Sequence, residues 1–313
     1  MSGPHSAKPA IAKEELLRLF PVSAQKKLFS RPIFIVSAPR SGSTLLFETL
    51  INCGNLWSIR TESHGIFAQF PSLKYENSSQ DSACLDADHC NADLSRELRL
   101  AYLAELRDSQ GTNYTALPAQ KRPNRVQFLE KTPRNALNIP FLLAAFPDAR
   151  FIFLYRKPEE NINSMIEGWE RKGSFVKFDD LPDWPLGYWC FVLPRGWRAL
   201  KGKSIAEIAA FQWRACNEKI MHDLAQLPDS RHMTLSYDEL LRSTGKTIKK
   251  ICDFGHFKMD QSLYDTVTKP LPLSSTTASK PVKDKWRQRE TEILQVMPEA
   301  TATLKKIEAF RRG

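Results

Sequence analysis

Residues 39–44 read Pro-Arg-Ser-Gly-Ser-Thr and follow the apolar run "PIFIVSA" that starts at Pro32. From Ser43 the pattern turns helical through Ile51. A loop between a buried strand and a helix N-terminus aims several backbone N–H groups one way, with the positive end of the helix dipole behind them. Ser41, Gly42, Ser43 and Thr44 add small donors without steric cost, and Arg40 adds a planar fork that matches phosphate or sulfate. An ordinary strand-to-helix turn would not need five consecutive small or anion-binding residues. The common nucleotide loop ends in Lys followed by Ser or Thr, which hold the β- and γ-phosphates and a magnesium ion. Here no Lys precedes the Ser-Thr pair, which favours a metal-free transfer from a different activated anion.

A second constellation follows the run "ARFIFLYR". Arg156 closes that strand, Pro158 suits the first turn of the next helix, and Ser164 lies further along it. An Arg at a strand's carboxyl end and a Ser on the adjoining helix could clamp a second phosphate, since ligands of parallel sheets sit at that edge. Two anion pockets would fit a nucleotide phosphorylated at two places. Lys131 follows Glu130 at the end of "RVQFLE", and either an ion pair between these neighbours or a Lys aimed at reacting groups is consistent with the pattern.

Taken together, "PRSGSTLL" after a strand and "FLYRKPEENINSM" resemble the two binding signatures of sulfotransferases that use 3′-phosphoadenosine-5′-phosphosulfate, PAPS. "FLEKTP" and "LSYDELL" are similar to segments of bacterial family members distantly related to protein-tyrosine sulfotransferases. The resemblance runs from about residue 32 to 290. It implies Arg40 and Ser41 to Thr44 around the 5′-phosphosulfate, Arg156 with Ser164 on the 3′-phosphate, and Tyr237 against the nucleotide. It implies Lys131 as donor to the bridging oxygen of the leaving group. Glu62 stands near the place of the catalytic Glu of the tyrosine-protein branch and is the expected base. His64 is the rival, because a His serves the phenol and steroid branch; that branch carries it after a Lys-x-Pro pattern, where this chain has Arg134. "SSTTASKPVKDKW" resembles the segment that closes over PAPS and makes Lys285 a phosphate contact. No metal is implied, and the acceptor would be a small molecule, a glycan or a peptide.

The elements that must hold these residues are legible as apolar runs of strand length separated by helical patterns: "PIFIVSA", "RVQFLE", "ARFIFLYR" and "RHMTLSY". Such alternation predicts an α/β fold, a P-loop-like three-layer sandwich with a central, mostly parallel sheet and helices on both faces. Ser204 followed by Glu207 predicts a capping box that opens a long helix. Residues 1–30 read as a helical leader, peripheral to a single domain over 31–313. Within that domain 171–203 is an aromatic insertion. Its Trp184, Trp189 and Trp197 suit either an acceptor-side wall or lid, or a cap over the core. Residues 77–95 are polar and acidic and predict a surface loop.

With 42% hydrophobic and 26% charged residues the 313-residue chain has the composition of a soluble globular protein. No run approaches the roughly 20 apolar residues that span a bilayer, and the start lacks a signal-peptide pattern, so the expected location is cytoplasmic without membrane insertion. Six scattered cysteines predict free thiols. The net charge of +10 suits an anionic partner. It leaves two other functions in view: a P-loop small-molecule kinase using ATP, and a non-catalytic basic protein that binds nucleic acid. The first lacks the loop Lys, and the second lacks a basic tract with interleaved aromatics.

Overall fold

The computed structural model describes residues 13–75, 81–277 and 279–312. The start of the leader, residues 1–12, and the first part of the polar stretch, 77–80, lie outside them. Seven strands form: β1 Ile33–Val36, β2 Leu56–Trp57, β3 Gln127–Lys131, β4 Arg150–Tyr155, β5 Val176–Asp179, β6 Tyr188–Cys190 and β7 His232–Ser236. Five make one parallel sheet in the order β2-β3-β1-β4-β7, while β5 and β6 pair as a separate antiparallel hairpin.

Period-two alternation sorts each strand's side chains between two cores. Phe34, Val36, Phe128, Phe151 and Phe153 face one cluster. Ile33, Ile35, Leu129, Ile152 and Leu154 face the other. Both faces are covered, which is why all six residues of β4 are buried and its sequence is nearly unbroken in hydrophobicity. The helices Ala92–Glu105, Pro158–Arg171 and Ile205–Leu224 cover the first face, and Ser43–Leu50 and Thr244–Gly255 the second. The Ile205–Leu224 helix starts as its capping box dictates: Ser204 Oγ accepts from Glu207 N while the Glu207 carboxylate accepts from Ser204 N.

After β1 the chain goes to the edge strand β2, comes back to fill β3 between β2 and β1, then crosses β1 to add β4 and β7. The strand order therefore reverses at β1, and a crevice opens beyond the carboxyl ends of β1, β3 and β4. This is where the loop 37–42, Lys131 and Arg156 all emerge.

Three expectations need revision. The leader's helices Lys13–Leu19 and Val22–Leu28 are not peripheral: Leu16, Phe20 and Leu28 are buried in the main core. The polar stretch is only partly a surface loop. Ser82, Cys84 and Leu85 are buried, with Ala83 N donating to Leu193 O at 2.9 Å and Leu85 N to Asn138 Oδ1 at 2.9 Å, and the Ala92–Glu105 helix then begins. Third, the tryptophans do not form the surface of a lid. Trp169, Trp184, Trp189 and Trp197 are all buried and meet edge to face, Trp184 and Trp189 at 4.9 Å between centroids. Each indole N–H has an acceptor, for instance Val192 O for Trp189 and Asp81 O for Trp197. All six cysteines are free. Among the described residues no helix is long and apolar enough to cross a membrane.

Trp189→Ala is expected to cost about 3–5 kcal/mol of stability in urea denaturation, as for other buried aromatic truncations. A wild-type midpoint would instead mean that residues 171–203 open independently of the core.

Candidate active site

The loop after β1 is held by a residue from a different element. Asn161, fully buried on the Pro158–Arg171 helix, donates through Nδ2 to Pro39 O at 2.7 Å and accepts from Ser41 Oγ at 2.7 Å. The Ser41 hydroxyl is therefore spent inside the protein. Unlike its neighbours Arg40, Gly42, Ser43 and Thr44 it does not line the cavity. Arg40 and Gly42 both have positive φ, 66° and 93°. At Gly42 the requirement is double, because a Cβ would also lie 2.4 Å from the Tyr237 ring. Gly42 caps the Ser43–Leu50 helix without any side-chain hydrogen bond, and the first helical N–H to reach a carbonyl is that of Leu46, on Gly42 O. The preceding turn is thus left to an external acceptor.

Arg40 and Arg156 converge over this turn. Arg40 donates through Nε to Ser164 Oγ at 3.2 Å and through Nη1 to Thr276 O at 2.9 Å. Ser164 therefore partners Arg40 in this structure, where the sequence pairs it with Arg156. Arg156 lies over the Tyr237 ring at 4.8 Å and donates to Glu160 at 3.0 and 3.1 Å. Burial and then the nearby Arg156 charge push the Arg40 pKa below its usual value. Two guanidiniums in mutual repulsion form a site that a bound anion would relieve.

Parity along β3 sends Glu130 and Lys131 to opposite faces of the sheet, so the two neighbours are not an ion pair. Lys131, 3% exposed, donates to Thr44 Oγ1 at 3.0 Å and to Glu62 Oε1 at 2.5 Å. Glu62 Oε2 in turn meets His64 Nε2 at 3.1 Å. The rival bases thus touch each other. Burial pushes the Glu62 carboxyl up, but the His64 hydrogen bond and the Lys131 ammonium outweigh it and bring it down to about 2.

Glu130 has a different task. It is fully buried and accepts from Ser63 Oγ at 2.8 Å, Thr132 Oγ1 at 2.5 Å and Asn135 Nδ2 at 2.5 Å. Ser63 stands between Glu62 and His64, so this network anchors the turn that carries both. Burial pushes Glu130 up to about 7 against these hydrogen bonds.

One cavity of about 1330 Å³ contains Arg40, Glu62, His64, Lys131, Arg156, Ser164, Tyr237 and Lys285. It exceeds the roughly 300–1,000 Å³ of a single small-molecule pocket, and has room for two ligands side by side. Residues 271–277 cross its mouth, tied by Ser275 to Glu48 and by Thr276 to Arg40. Lys285 pairs with Glu167 and donates to Ser279 Oγ at 2.6 Å, so its ammonium has protein partners where the sequence expects a phosphate. Asn161, Ser63 and Glu167 have no signature of their own in the sequence, because each acts through a partner distant in the chain, and Glu130, there a possible ion-pair partner of Lys131, instead holds Ser63, Thr132 and Asn135.

A parallel sheet with a helix-capping anion loop, flanking arginines and a buried Lys-carboxylate pair defines a group-transfer α/β protein that handles an anionic ligand. The model of the sulfotransferase family matches residues 32–261. The chain belongs to this family, which sets aside the kinase and nucleic-acid readings. A sulfotransferase of Mycobacterium avium has the same fold, with a TM-score of 0.52 at 14% identity over 90% of this chain and 80% of the other. The sulfotransferase domain of the Synechococcus olefin synthase is 20% identical over 85% of this chain and 93% of its own, with a TM-score of 0.46. A mouse sulfotransferase solved with PAP is 14% identical over 96% of this chain and 93% of its own, with a TM-score of 0.43. No curated protein sequence matches significantly.

The two carboxylates give opposite pH dependences. Glu130, raised from 4.5 to about 7, contributes stability that is full below pH 4.5 and lost as pH rises through 7. Glu62, lowered from 4.5 to about 2, contributes stability present above pH 4.5 and lost as pH falls through 2. Denaturation measured against pH is expected to lose the neutral-side slope in Glu130→Gln and the acid-side slope in Glu62→Gln, whatever each variant's absolute stability. Unchanged slopes would contradict these environments.

Proposed function

We propose that this protein transfers a sulfuryl group from PAPS to a hydroxyl or amine acceptor. The observation that carries the reading is the unbroken chain of contacts Thr44–Lys131–Glu62–His64, which links the anion loop to a proton acceptor inside one cavity. In this reading the helix turn at Gly42, Ser43 and Thr44, with Arg40, binds the 5′-phosphosulfate. Arg156 and Ser164 bind the 3′-phosphate, and Tyr237 packs on the nucleotide. Lys285 lies at the same cavity's mouth and completes the enclosure through Glu167 and Ser279.

The donor would supply an activated sulfuryl group whose departure leaves negative charge on a nucleotide phosphate oxygen. Lys131 is placed to neutralise that charge, since its ammonium already reaches Thr44 at the head of the anion loop. Glu62 takes the acceptor's proton. With its carboxyl near 2 it is a weak base while His64 and Lys131 both hold it. A negatively charged donor draws the ammonium away, which removes an opposite charge from Glu62 and raises its basicity. Loading the donor would thereby arm the base. His64 holds the second carboxylate oxygen and orients it. It becomes the base itself only if Glu62 serves as its orienting partner, an arrangement the 3.1 Å contact also supports.

Sulfate transfer from PAPS to a panel of phenols, alcohols, amines, sugars and tyrosine peptides tests the reading. Lys131→Ala is expected to lose about 10²–10³-fold in kcat, a loss typical of removing one transition-state charge donor, while still binding PAP. Arg40→Ala should lose most turnover with the fold intact, and Ser164→Ala should mainly raise the KM for PAPS. Glu62→Gln should abolish turnover and His64→Ala only reduce it; the reverse ranking would move the base to His64. A Lys131→Ala enzyme with wild-type kcat would sink the leaving-group role.

A further inference from the structure

Four carboxylates line the cavity, and every one already has a partner. Glu48 binds Ser275, Glu160 binds Arg156, Glu167 binds Lys285, and Glu62 binds Lys131 and His64. One cavity-lining guanidinium has no such partner among the described residues. That guanidinium is Arg134, the second residue of the 3-10 turn Pro133–Leu137 after β3. Its charge lies over the face of the Phe67 ring, 4.4 Å from the centroid. Its electrostatic neighbours are Tyr102 and Glu130. Glu130 gives its oxygens to Ser63, Thr132 and Asn135 instead, and the Tyr102 hydroxyl has no hydrogen-bond partner.

Position says which ligand this charge would meet. The contact chain runs outward from the anion loop through Thr44, Lys131 and Glu62 to His64. His64 opens the short helix that ends at Phe67, so Arg134 lies against the residue one helical turn beyond His64. Besides Phe67, the cavity lining includes the apolar side chains of Leu137, Phe178, Phe191 and Val192. An isolated guanidinium in such a wall is costly unless a ligand compensates it. Burial lowers its pKa to about 10, so it stays charged at neutral pH. Exposed Lys74 and Lys177 also line the cavity and add positive potential to it.

We propose that Arg134 selects the acceptor, and that the acceptor is an amphipathic hydroxy acid. Its hydroxyl lies at Glu62, an apolar body lies along Phe178 and Phe191, and a carboxylate lies on the Arg134 fork. One unpaired positive charge in an apolar wall balances a singly charged carboxylate, whereas a phosphate monoester would bring close to two charges. Arg134 here is a specificity residue, and the stacking on Phe67 holds its plane in place for bidentate pairing. This inference rests on the sulfotransferase reading.

The test compares ω-hydroxydecanoate and para-hydroxyphenylpropionate, each with its methyl ester, as ligands of the PAP-loaded protein by calorimetry and as acceptors with PAPS. The wild type is expected to favour at least one acid over its ester by about tenfold or more, the range of a charge-assisted hydrogen bond in a partly desolvated site. Arg134→Met should erase the preference while PAP affinity and the denaturation midpoint stay near wild type, and Arg134→Lys should restore part of it. Acids that bind no tighter than their esters, or that do not bind at all, overturn the inference, as does an Arg134→Met variant that keeps the preference. If PAP itself fails to bind, the sulfotransferase reading falls; if PAP binds and neutral acceptors turn over as well as acids, only the role of Arg134 does.

Discussion

The buried ammonium of Lys131 is the constraint around which the rest of this protein is arranged. A charge 3% exposed at the end of a central strand must be compensated, and Glu62 at 2.5 Å does so. That pairing fixes the turn bearing Glu62 and His64 against the sheet. The same ammonium reaches Thr44, so the head of the anion loop is fixed too. An anion loop, a cation and a carboxylate drawn from three elements are thereby held within hydrogen-bond contact of one another, a degree of preorganisation that group transfer requires.

Around this centre the cavity divides by charge. On the loop side, Arg40 and Arg156 crowd a helix N-terminus, and the protein's carboxylates balance them only in part. Arg134 lies over the Phe67 ring, in a cavity whose lining also includes aromatic and aliphatic side chains. Beneath the centre, Glu130 supports the Ser63 turn from the opposite face of the sheet to Lys131. Its raised pKa is the consequence of full burial at that post. Trp184, Trp189 and Trp197 pack edge to face and satisfy their own N–H groups, in the same segment that sends Phe178 and Phe191 to the cavity lining.

Much of this was legible in the residues alone. The unbroken apolar run of β4 and the capping box at Ser204 identify their elements by local physics, since hydrophobic alternation and cap chemistry act within a few residues. The loop from Arg40 to Thr44 and the strand-end Arg156 mark the crevice because helix N-termini and strand ends attract anions wherever they occur. Local reading failed where a side chain's partner came from afar. Ser41 looks like any loop hydroxyl until Asn161 claims it, and Lys285 looks free until Glu167 pairs with it. Trp184, Trp189 and Trp197 are spaced irregularly, so nothing in their order tells a lid from a core until the side chains meet.

By itself, then, the sequence determined the parallel α/β architecture, the anion loop, its lack of a nucleotide-loop lysine and the candidate residues around it, because each depends on short-range pattern. Only the tertiary structure decided how those candidates are paired. Strand parity separated Glu130 from Lys131 and gave Lys131 to Glu62. Packing left Arg134 unpaired on Phe67. Each of these is a choice among partners far apart in the chain, made by burial and charge compensation once the sheet has closed around its helices.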